Sequence, residues 1–268
     1  MPKIRPEPQL DFNNVLIEPQ RSHIASRSKV FLERLFNFKH STKSWEGIPI
    51  VAANMDTTGT LEVAKVLEKN NMLTALHKFY KASDLISSEI KLHRDMFMIS
   101  TGISDTDLHN LQMILQQVEC SWICIDVANG YMDTLIEFTN KVRSLFPDKI
   151  IVAGNVVTKE RVEELILYGG VDIVKVGIGP GSACTTRIKT GVGVPQFSAI
   201  LECAEAAHKV GGHIMADGGI TCPGDMAKAF GAGADFVMMG GQFAGHDENP
   251  GDVIEENGKK YKEFYGMS

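Results

Sequence analysis

The sequence has few cysteines and few aromatic residues, and its apolar runs are short. Five cysteines stand at irregular spacing with no C-x-x-C pair and no zinc-type His/Cys cluster, so neither a disulfide framework nor a zinc site is expected. Free thiols are typical of a reducing cytosol, which favours a cytoplasmic protein. No apolar run approaches the ~20 residues that span a bilayer, and the N-terminus has no apolar core of a signal peptide.

Positive charge is also in deficit, with 27 Lys and Arg against 33 Asp and Glu and a net charge of −6. This balance argues against nucleic acid or an anionic membrane as a partner. A phosphate ligand remains compatible, because backbone amides and helix N-termini can hold one. Hydrophobic residues are plentiful at 44% of 268 residues, which predicts one large folded domain or two small ones.

Short apolar segments alternate along the chain with segments of helical periodicity, a pattern that predicts βαβ units and a parallel sheet. The predicted strands are 48–53, 72–76, 96–100, 122–127, 150–153, 171–176, 213–216 and 235–239. The predicted helices are 61–70, 105–118, 131–146, 159–168, 198–210 and 224–230. Glycines and polar residues follow the carboxyl end of each strand, which favours a parallel (β/α)₈ TIM barrel over an open doubly wound sheet.

Three regions are predicted. Residues 1–46 form an N-terminal extension that packs on the barrel, residues 47–251 form the barrel, and residues 252–268 form a hairpin leading to a missing flap. Asn257-Gly258 supplies the positive φ angles of a type I′ turn. Because no helix follows the eighth strand, we expect the chain to be truncated and the natural chain to be longer.

The segment 175–187 is the most informative part of the sequence. A buried strand runs into Gly177, Gly179 and Gly181, and then into Cys184 beside hydroxyl residues. These glycines let backbone amides approach an anion or leave carbonyls free for a cation. A thiol in this loop is a nucleophile if its pKa is lowered. The alternative is a glycine-rich connection with an incidental thiol.

Other candidate residues follow the remaining strands. Asp217 before two glycines either accepts both hydrogens of a ribose diol or caps a helix. The loops after strands seven and eight of a barrel often bind phosphate. Asp126 either holds an amide or ring N–H or makes a structural hydrogen bond at the barrel mouth. Lys78 either meets a phosphate or is a solvated lysine.

Several of these segments resemble the IMP dehydrogenase/GMP reductase superfamily over essentially the whole chain. The matching segments are 52–56 (AANMD), 178–187 (IGPGSACTTR), 217–219 (DGG), 239–241 (MGG) and 264–268 (FYGMS). Family dehydrogenases usually carry CBS modules after the second strand, and only a short connection stands there in this chain. The segments 53–56, 126–131 and 192–196 are also similar to the reductase branch.

The resemblance implies NADPH-dependent reductive deamination of GMP to IMP, in purine interconversion and salvage. Cys184 would attack C2 of GMP and expel ammonia, leaving a covalent thioimidate, and hydride from NADPH would then reach C2. Thr186 is similar to the family's hydroxyl in a proton relay. A homotetramer is also implied.

The resemblance further implies the binding residues. Ser182, Gly240 and Gly241 would hold the phosphate, Asp217 the ribose, and Gly218 and Gly219 would approach the same nucleotide. The base would be bordered by Gly266, Met267 and Ser268. NADPH would contact Ser26, Arg27, Lys78, Asp126, Val127, Ala128, Ile178 and Gly179. A monovalent cation, expected to be K⁺, would be held by carbonyls of Gly179, Gly181, Cys184 and Arg187.

Ala183 stands where the family commonly has a β-branched residue, and we expect this to be tolerated. The family's flap, with its catalytic glutamate, would lie beyond Ser268, so impaired turnover is expected of these 268 residues alone. Two alternatives remain open: IMP dehydrogenase, which would oxidise IMP with NAD, and a nucleotide-binding protein without turnover.

Overall fold

A computed structural model of the chain describes residues 4–266. Its strands are β1 (Arg34–Asn37), β2 (Ser44–Gly47), β3 (Ile50–Ala52), β4 (Leu73–Leu76), β5 (Phe97–Thr101), β6 (Trp122–Asp126), β7 (Ile150–Val156), β8 (Ile173–Val176), β9 (His213–Asp217), β10 (Phe236–Met239), β11 (Ile254–Glu256) and β12 (Lys259–Tyr261). Its helices are α1 (Leu61–Glu68), α2 (Ala82–Ser87), α3 (Asp105–Leu115), α4 (Asp133–Leu145), α5 (Lys159–Leu167), α6 (Thr186–Thr190), α7 (Gln196–Lys209) and α8 (Pro223–Gly231).

Strands β3 to β10 close into a barrel in the order β10-β3-β4-β5-β6-β7-β8-β9, and every neighbouring pair is parallel. All residues of β4, β5, β8 and β10 are buried, because side chains fill the interior and helices cover the outside. The predicted (β/α)₈ barrel is confirmed, and each predicted strand overlaps an observed one.

Two helices were not predicted from the sequence. Helices α2 and α6 have six and five residues, which is too short for a helical period to show. Thr186, expected in a loop, is the first residue of α6. After β10 the described chain has only a 3₁₀ turn, Gly241–Phe243, before the final hairpin.

The amino end of the barrel is closed by the β1–β2 hairpin. Phe36 of β1 lies 4.4 Å from Phe236 of β10, measured between ring centroids. Trp45 of β2 meets Trp122 of β6 edge-on at 5.7 Å. Each aromatic pair in this distance range stabilises the fold by about 0.5–1.5 kcal/mol beyond the contribution of the apolar area that it buries. The hairpin therefore seals the end of the barrel at which the strands begin.

The chain before this hairpin also contacts the barrel. The backbone amide of Gln196, at the start of α7, donates to Asp11 Oδ1 at 2.6 Å. The Leu10 amide donates to Ser198 Oγ, and the Ser198 amide donates to the Leu10 carbonyl. Because the first amides of a helix have no partner within the helix, Asp11 satisfies one of them and fixes where α7 begins.

The final hairpin, β11–β12, is antiparallel and exposed. Its turn residues Asn257 and Gly258 have φ angles of 53° and 74°, so the type I′ turn predicted from Asn-Gly is confirmed. None of the helices within residues 4–266 is long and apolar enough to cross a membrane.

Candidate functional site

A cavity of about 650 Å³ opens at the carboxyl ends of the barrel strands. This volume lies within the roughly 300–1,000 Å³ typical of small-molecule sites. The cavity is lined after β3 by Asn54 and Met55, after β6 by Val127 and Ala128, after β8 by Gly177 to Gly179 and Gly181 to Cys184, after β9 by Gly218 to Thr221, and after β10 by Gly240 to Gln242. Barrel closure thus brings side chains from distant parts of the sequence to one mouth.

Cys184 lies in this cavity, half-buried, on the loop between β8 and α6. Its thiol donates a hydrogen bond to Thr186 Oγ1 at a distance of 3.2 Å. Its amide donates to the Gly181 carbonyl at 3.1 Å, which closes a turn at the thiol. The pair Cys184 and Thr186 thus offers a nucleophile with an adjacent hydroxyl that can pass a proton.

Two glycines allow the loops to approach one another. A Cβ on Gly177 would lie 2.2 Å from the Asp217 carbonyl oxygen, so a larger residue there would push β8 away from β9. Gly218 has φ +86°, and a Cβ there would lie 3.1 Å from Pro180 Cγ and 3.2 Å from the Gly181 amide nitrogen. The loop after β9 can therefore rest directly on the loop that carries the thiol.

The floor of the cavity carries a buried lysine between two carboxylates. Lys175 of β8 is 1% exposed, and its Nζ lies 3.0 Å from Asp126 Oδ1 and 3.2 Å from Asp217 Oδ2. Asn54 donates to Asp126 Oδ2 at 2.7 Å, and Asn155 donates to Asp217 Oδ2 at 2.8 Å. This network fixes the direction in which both carboxylates face.

The network also shifts the pKa values of Asp126 and Lys175. Burial alone would raise the pKa of Asp126, but the Lys175 ammonium and the Asn54 amide outweigh it and hold that pKa below its ordinary value. Burial alone would lower the pKa of Lys175, yet Asp126 and Asp217 raise it well above the ordinary value for lysine. At neutral pH Asp126 and Lys175 therefore form an ion pair, and Asp217 Oδ2 lies 3.2 Å from the same ammonium.

The remaining cysteines stand in different surroundings. Burial raises the pKa of the Cys120 thiol to about 11 and those of Cys124 and Cys203 to about 12, so these thiols stay protonated. Cys222 is exposed and lies outside the cavity. The five cysteines thus divide by environment, and Cys184 alone among them lines the cavity.

Comparison with known proteins places this geometry in a family. The family model for the IMP dehydrogenase/GMP reductase domain matches residues 9–268. The chain belongs to the IMP dehydrogenase/GMP reductase family. A protein named GMP reductase from Klebsiella pneumoniae is 56% identical across 99% of this chain and 78% of its own length. GMP reductase 1 from Homo sapiens is 54% identical across 100% of this chain and 78% of its own.

The same family includes a solved structure that resembles this one. The inosine 5′-monophosphate dehydrogenase from Legionella pneumophila superposes with a TM-score of 0.83 and 32% sequence identity, over 97% of this chain and 78% of that chain. The closed barrel is thus the fold of a solved relative.

Most residues predicted for the family site line the cavity. They are Lys78, Asp126, Val127, Ala128, Ile178, Gly179, Gly181, Ser182, Cys184, Thr186, Asp217, Gly218, Gly219, Gly240, Gly241 and Gly266. Met267 and Ser268 lie outside the described residues.

Three predicted residues do not line it. Ser26 and Arg27 belong to an exposed 3₁₀ turn, which Ser26 Oγ caps by accepting from the Ser28 amide. Arg187 instead links the loop after β8 to the segment before α7. Its guanidinium donates to the Ile178 carbonyl at 3.0 Å and to the Val194 carbonyl at 2.6 Å. Arg187 therefore anchors the thiol-bearing loop from behind.

Several residues of this site were not predicted as binding or catalytic residues from the sequence, among them Lys175, Asn54, Asn155 and Phe264. A lysine inside the apolar strand IVKV was an available signal, since a barrel strand is buried on both faces and a buried ammonium needs carboxylate partners. The partners themselves could not be read from the sequence, because Asp126 and Asp217 are 49 and 42 positions away.

Proposed function

We propose that this protein catalyses the NADPH-dependent reductive deamination of GMP to IMP, with release of ammonia through a covalent bond to Cys184. The observation that carries the proposal is the Cys184 thiol, which lines a nucleotide-sized cavity and contacts Thr186 Oγ1 at 3.2 Å. Relatives named GMP reductase, 53–56% identical over nearly the whole chain, support the same reaction.

The first half of the reaction needs a nucleophile and a proton donor. The Cys184 thiolate adds to C2 of the purine, the C2–N bond of the amino group breaks, and a thioimidate forms between sulfur and C2. The departing nitrogen takes a proton as it leaves as ammonia. Thr186 Oγ1, the acceptor of the thiol hydrogen, stands where it can pass that proton.

The second half returns the thiol to its starting state. When bound, NADPH supplies a hydride to C2, and the C2–S bond breaks. The sum is GMP, NADPH and two protons going to IMP, NADP⁺ and ammonium. The covalent link divides one difficult displacement into two easier steps.

The nucleotide would be bound by the loops after β8, β9 and β10. Ser182, Gly240 and Gly241 would receive the phosphate, and a Cβ built on Gly241 lies 3.7 Å from Ser182 Oγ, so these loops do meet. Asp217 uses Oδ2 for Lys175 and Asn155, and its other oxygen makes no hydrogen bond to a described residue. That oxygen fits a ribose hydroxyl, and the base would lie against Gly218, Gly219 and residues 266–268.

The cofactor would be bound on the side of Lys78. Lys78 lines the cavity and makes no ion pair within residues 4–266, so its ammonium fits a phosphate of NADPH. The other proposed contacts are Asp126, Val127, Ala128, Ile178 and Gly179. Ser26 and Arg27 lie outside the cavity of this chain, and their contact with NADPH stays a prediction.

We further propose K⁺ at the carbonyls of Gly179, Gly181 and Cys184, with Arg187 as a fourth donor. The carbonyls of Gly181 and Arg187 each accept one backbone hydrogen bond, and a carbonyl oxygen has a second lone pair for an ion. Such an ion would stiffen the loop that carries the thiol.

A homotetramer in the cytoplasm completes the proposal. Exposed apolar side chains of the N-terminal segment support self-association: Leu16 and Phe31 are each 89% exposed. Apolar surface of this kind is usually covered by a partner.

The function is tested by incubating the purified chain with GMP and NADPH and measuring IMP, NADP⁺ and ammonia. Equal amounts of all three products are expected. The solved dehydrogenase favours a second candidate, oxidation of IMP with NAD, which a parallel incubation with IMP and NAD distinguishes by formation of XMP. XMP from IMP, or GMP binding without any product, would contradict the proposal.

A further inference from the structure

Two histidines and an aspartate meet at the barrel end opposite the cavity. His213 is the first residue of β9, Asp235 directly precedes β10, and His208 lies in the last turn of α7. Parallel strands begin at this end, so β9 separates the cluster from Asp217 at the cavity floor by the length of one strand. The cluster therefore takes no part in the proposed reaction.

The spacing of the three side chains suits a small divalent cation. His208 Nε2 lies 2.9 Å from Asp235 Oδ2, and His213 Nδ1 lies 3.2 Å from Asp235 Oδ1. One ligand atom from each residue falls within 4.8 Å of the others. A tetrahedral zinc ion with bonds of about 2.0–2.1 Å spaces its ligand atoms about 3.3 Å apart. Only small side-chain movements are needed to reach that spacing.

The second shell of His213 supports a ligand role. His213 Nε2 contacts the Asn37 carbonyl at 3.0 Å, and a carbonyl can only accept, so Nε2 carries a proton. In the neutral ring this leaves a lone pair on Nδ1, which is buried and lies 3.2 Å from Asp235 Oδ1. That lone pair faces a carboxylate oxygen, so a metal ion between the two groups would be bound by both. A backbone carbonyl behind a histidine is the usual second shell of a metal ligand.

The carboxylate and the ring are both held in place. The Ile214 amide donates to Asp235 Oδ2 at 2.9 Å. The rings of Phe36 and Phe38 meet the His213 ring edge-on at 5.5 and 5.8 Å. His208 is 46% exposed, whereas His213 and Asp235 are 19% and 16% exposed. The site thus has two fixed ligands, one solvent-facing ligand, and a path for an ion and its water.

We propose that His208, His213 and Asp235 bind one divalent transition-metal ion, with water as a fourth ligand. Two imidazoles and a carboxylate are donors that zinc prefers, so Zn²⁺ is the probe of choice. The ion would join the end of α7 to the starts of β9 and β10, and its role would be structural.

The test is a titration of the chelator-treated chain with Zn²⁺, followed by calorimetry. One equivalent is expected to bind, and His208→Ala should weaken binding at least tenfold. His208 is the variant of choice because its exposed side chain can be removed without disturbing the fold, whereas His213 is packed between aromatic rings. His109→Ala, which removes another exposed histidine, is the matched control and should bind as the parent does.

Cobalt identifies the donor atoms independently. The Co²⁺-loaded chain should show the visible bands of nitrogen and oxygen ligands without the near-ultraviolet charge-transfer band of a thiolate. Absence of Zn²⁺ binding, or binding that is unchanged by His208→Ala, would overturn the proposal, since a proton would then be the cation between His213 and Asp235. Zinc binding that disappears in Cys184→Ala instead would also overturn it, because the ion would belong to the cavity.

Discussion

The two ends of the barrel are formed by different types of residue. At the carboxyl end, glycines, hydroxyls, amides and carboxylates surround an open cavity that contains the Cys184 thiol. At the amino end, Phe36 and Trp45 of one hairpin pack on Trp122 and Phe236. This difference indicates that chemistry and stability are separated along the barrel axis, which is usual in this architecture.

Lys175 is the exception to this separation. It is a buried strand residue like those of the core, yet its ammonium positions two carboxylates of the cavity. Changes at the two ends should therefore affect either activity or stability, and a change at Lys175 should affect both.

The largest effect is expected from removing the nucleophile. Cys184→Ala should lower turnover of GMP at least about 10³-fold, more than 4 kcal/mol in the barrier. GMP binding should stay within about tenfold, or ~1.4 kcal/mol. Steady-state kinetics and calorimetry measure the two quantities.

Cys222→Ala is the matched control, since this exposed thiol lies outside the cavity. It should leave turnover unchanged. Appreciable turnover by Cys184→Ala, or equal losses in the two variants, would show that the covalent step is not at Cys184.

Trp45→Ala, at the amino end of the barrel, should lower the stability of the fold and leave activity unchanged. Trp45 is 3% exposed and its Nε1 has no hydrogen-bond partner among the described residues, so packing is what the change removes. A loss of about 3–5 kcal/mol in the free energy of unfolding is expected, with KM for GMP unchanged. Denaturant titration and kinetics at low temperature test this. Tyr168→Ala, at a side chain 66% exposed, should cost less than about 0.5 kcal/mol.

Lys175→Met should affect both the stability of the fold and the binding of GMP. Without the ammonium, Asp126 and Asp217 face each other's charge, and removing one partner of a buried pair costs about 3–5 kcal/mol. Because Asp126 is about a third exposed, we expect about 2–4 kcal/mol here, together with a higher KM for GMP.

The control Lys189→Met removes an exposed lysine and should change neither quantity. Adding Asp126→Asn to Lys175→Met should recover part of the lost stability, which equilibrium unfolding of the double variant would show. Full additivity of the two changes would contradict an ion-paired floor.

The smallest effect is expected in how the stability contributed by Asp126 depends on pH. The pKa of Asp126 is lowered in the folded state, so its ionised form stabilises the fold above the unfolded pKa of about 3.9 and this contribution is lost as pH falls through the folded pKa. The stability difference between the parent and Asp126→Asn should be constant from pH 7 to about 5 and then shrink toward pH 3. Urea titrations across this range measure it, and a difference that grows on acidification would contradict the sign.

The barrel was predictable because its strands are apolar throughout and its polar residues follow them. Once the strands close, the loops must meet, so Cys184, Asp217 and Gly240 could be assigned to one cavity. The position of the β1–β2 hairpin could not be predicted, since its strands are short and its aromatic partners come from β6 and β10. The ion pairs of Lys175 likewise depend on which strands become neighbours across the barrel. Ser26 and Arg27 were assigned by resemblance alone, and the fold does not bring them to the cavity.

The most direct test of the account is to incubate the chain with GMP in the absence of NADPH, quench with acid, and map the modified peptide by mass spectrometry. The account predicts an added mass equal to GMP less ammonia on the Cys184 sulfur, absent from Cys184→Ala and discharged as IMP when NADPH is supplied. Ammonia release with no adduct on Cys184, or an adduct on another residue, would contradict it.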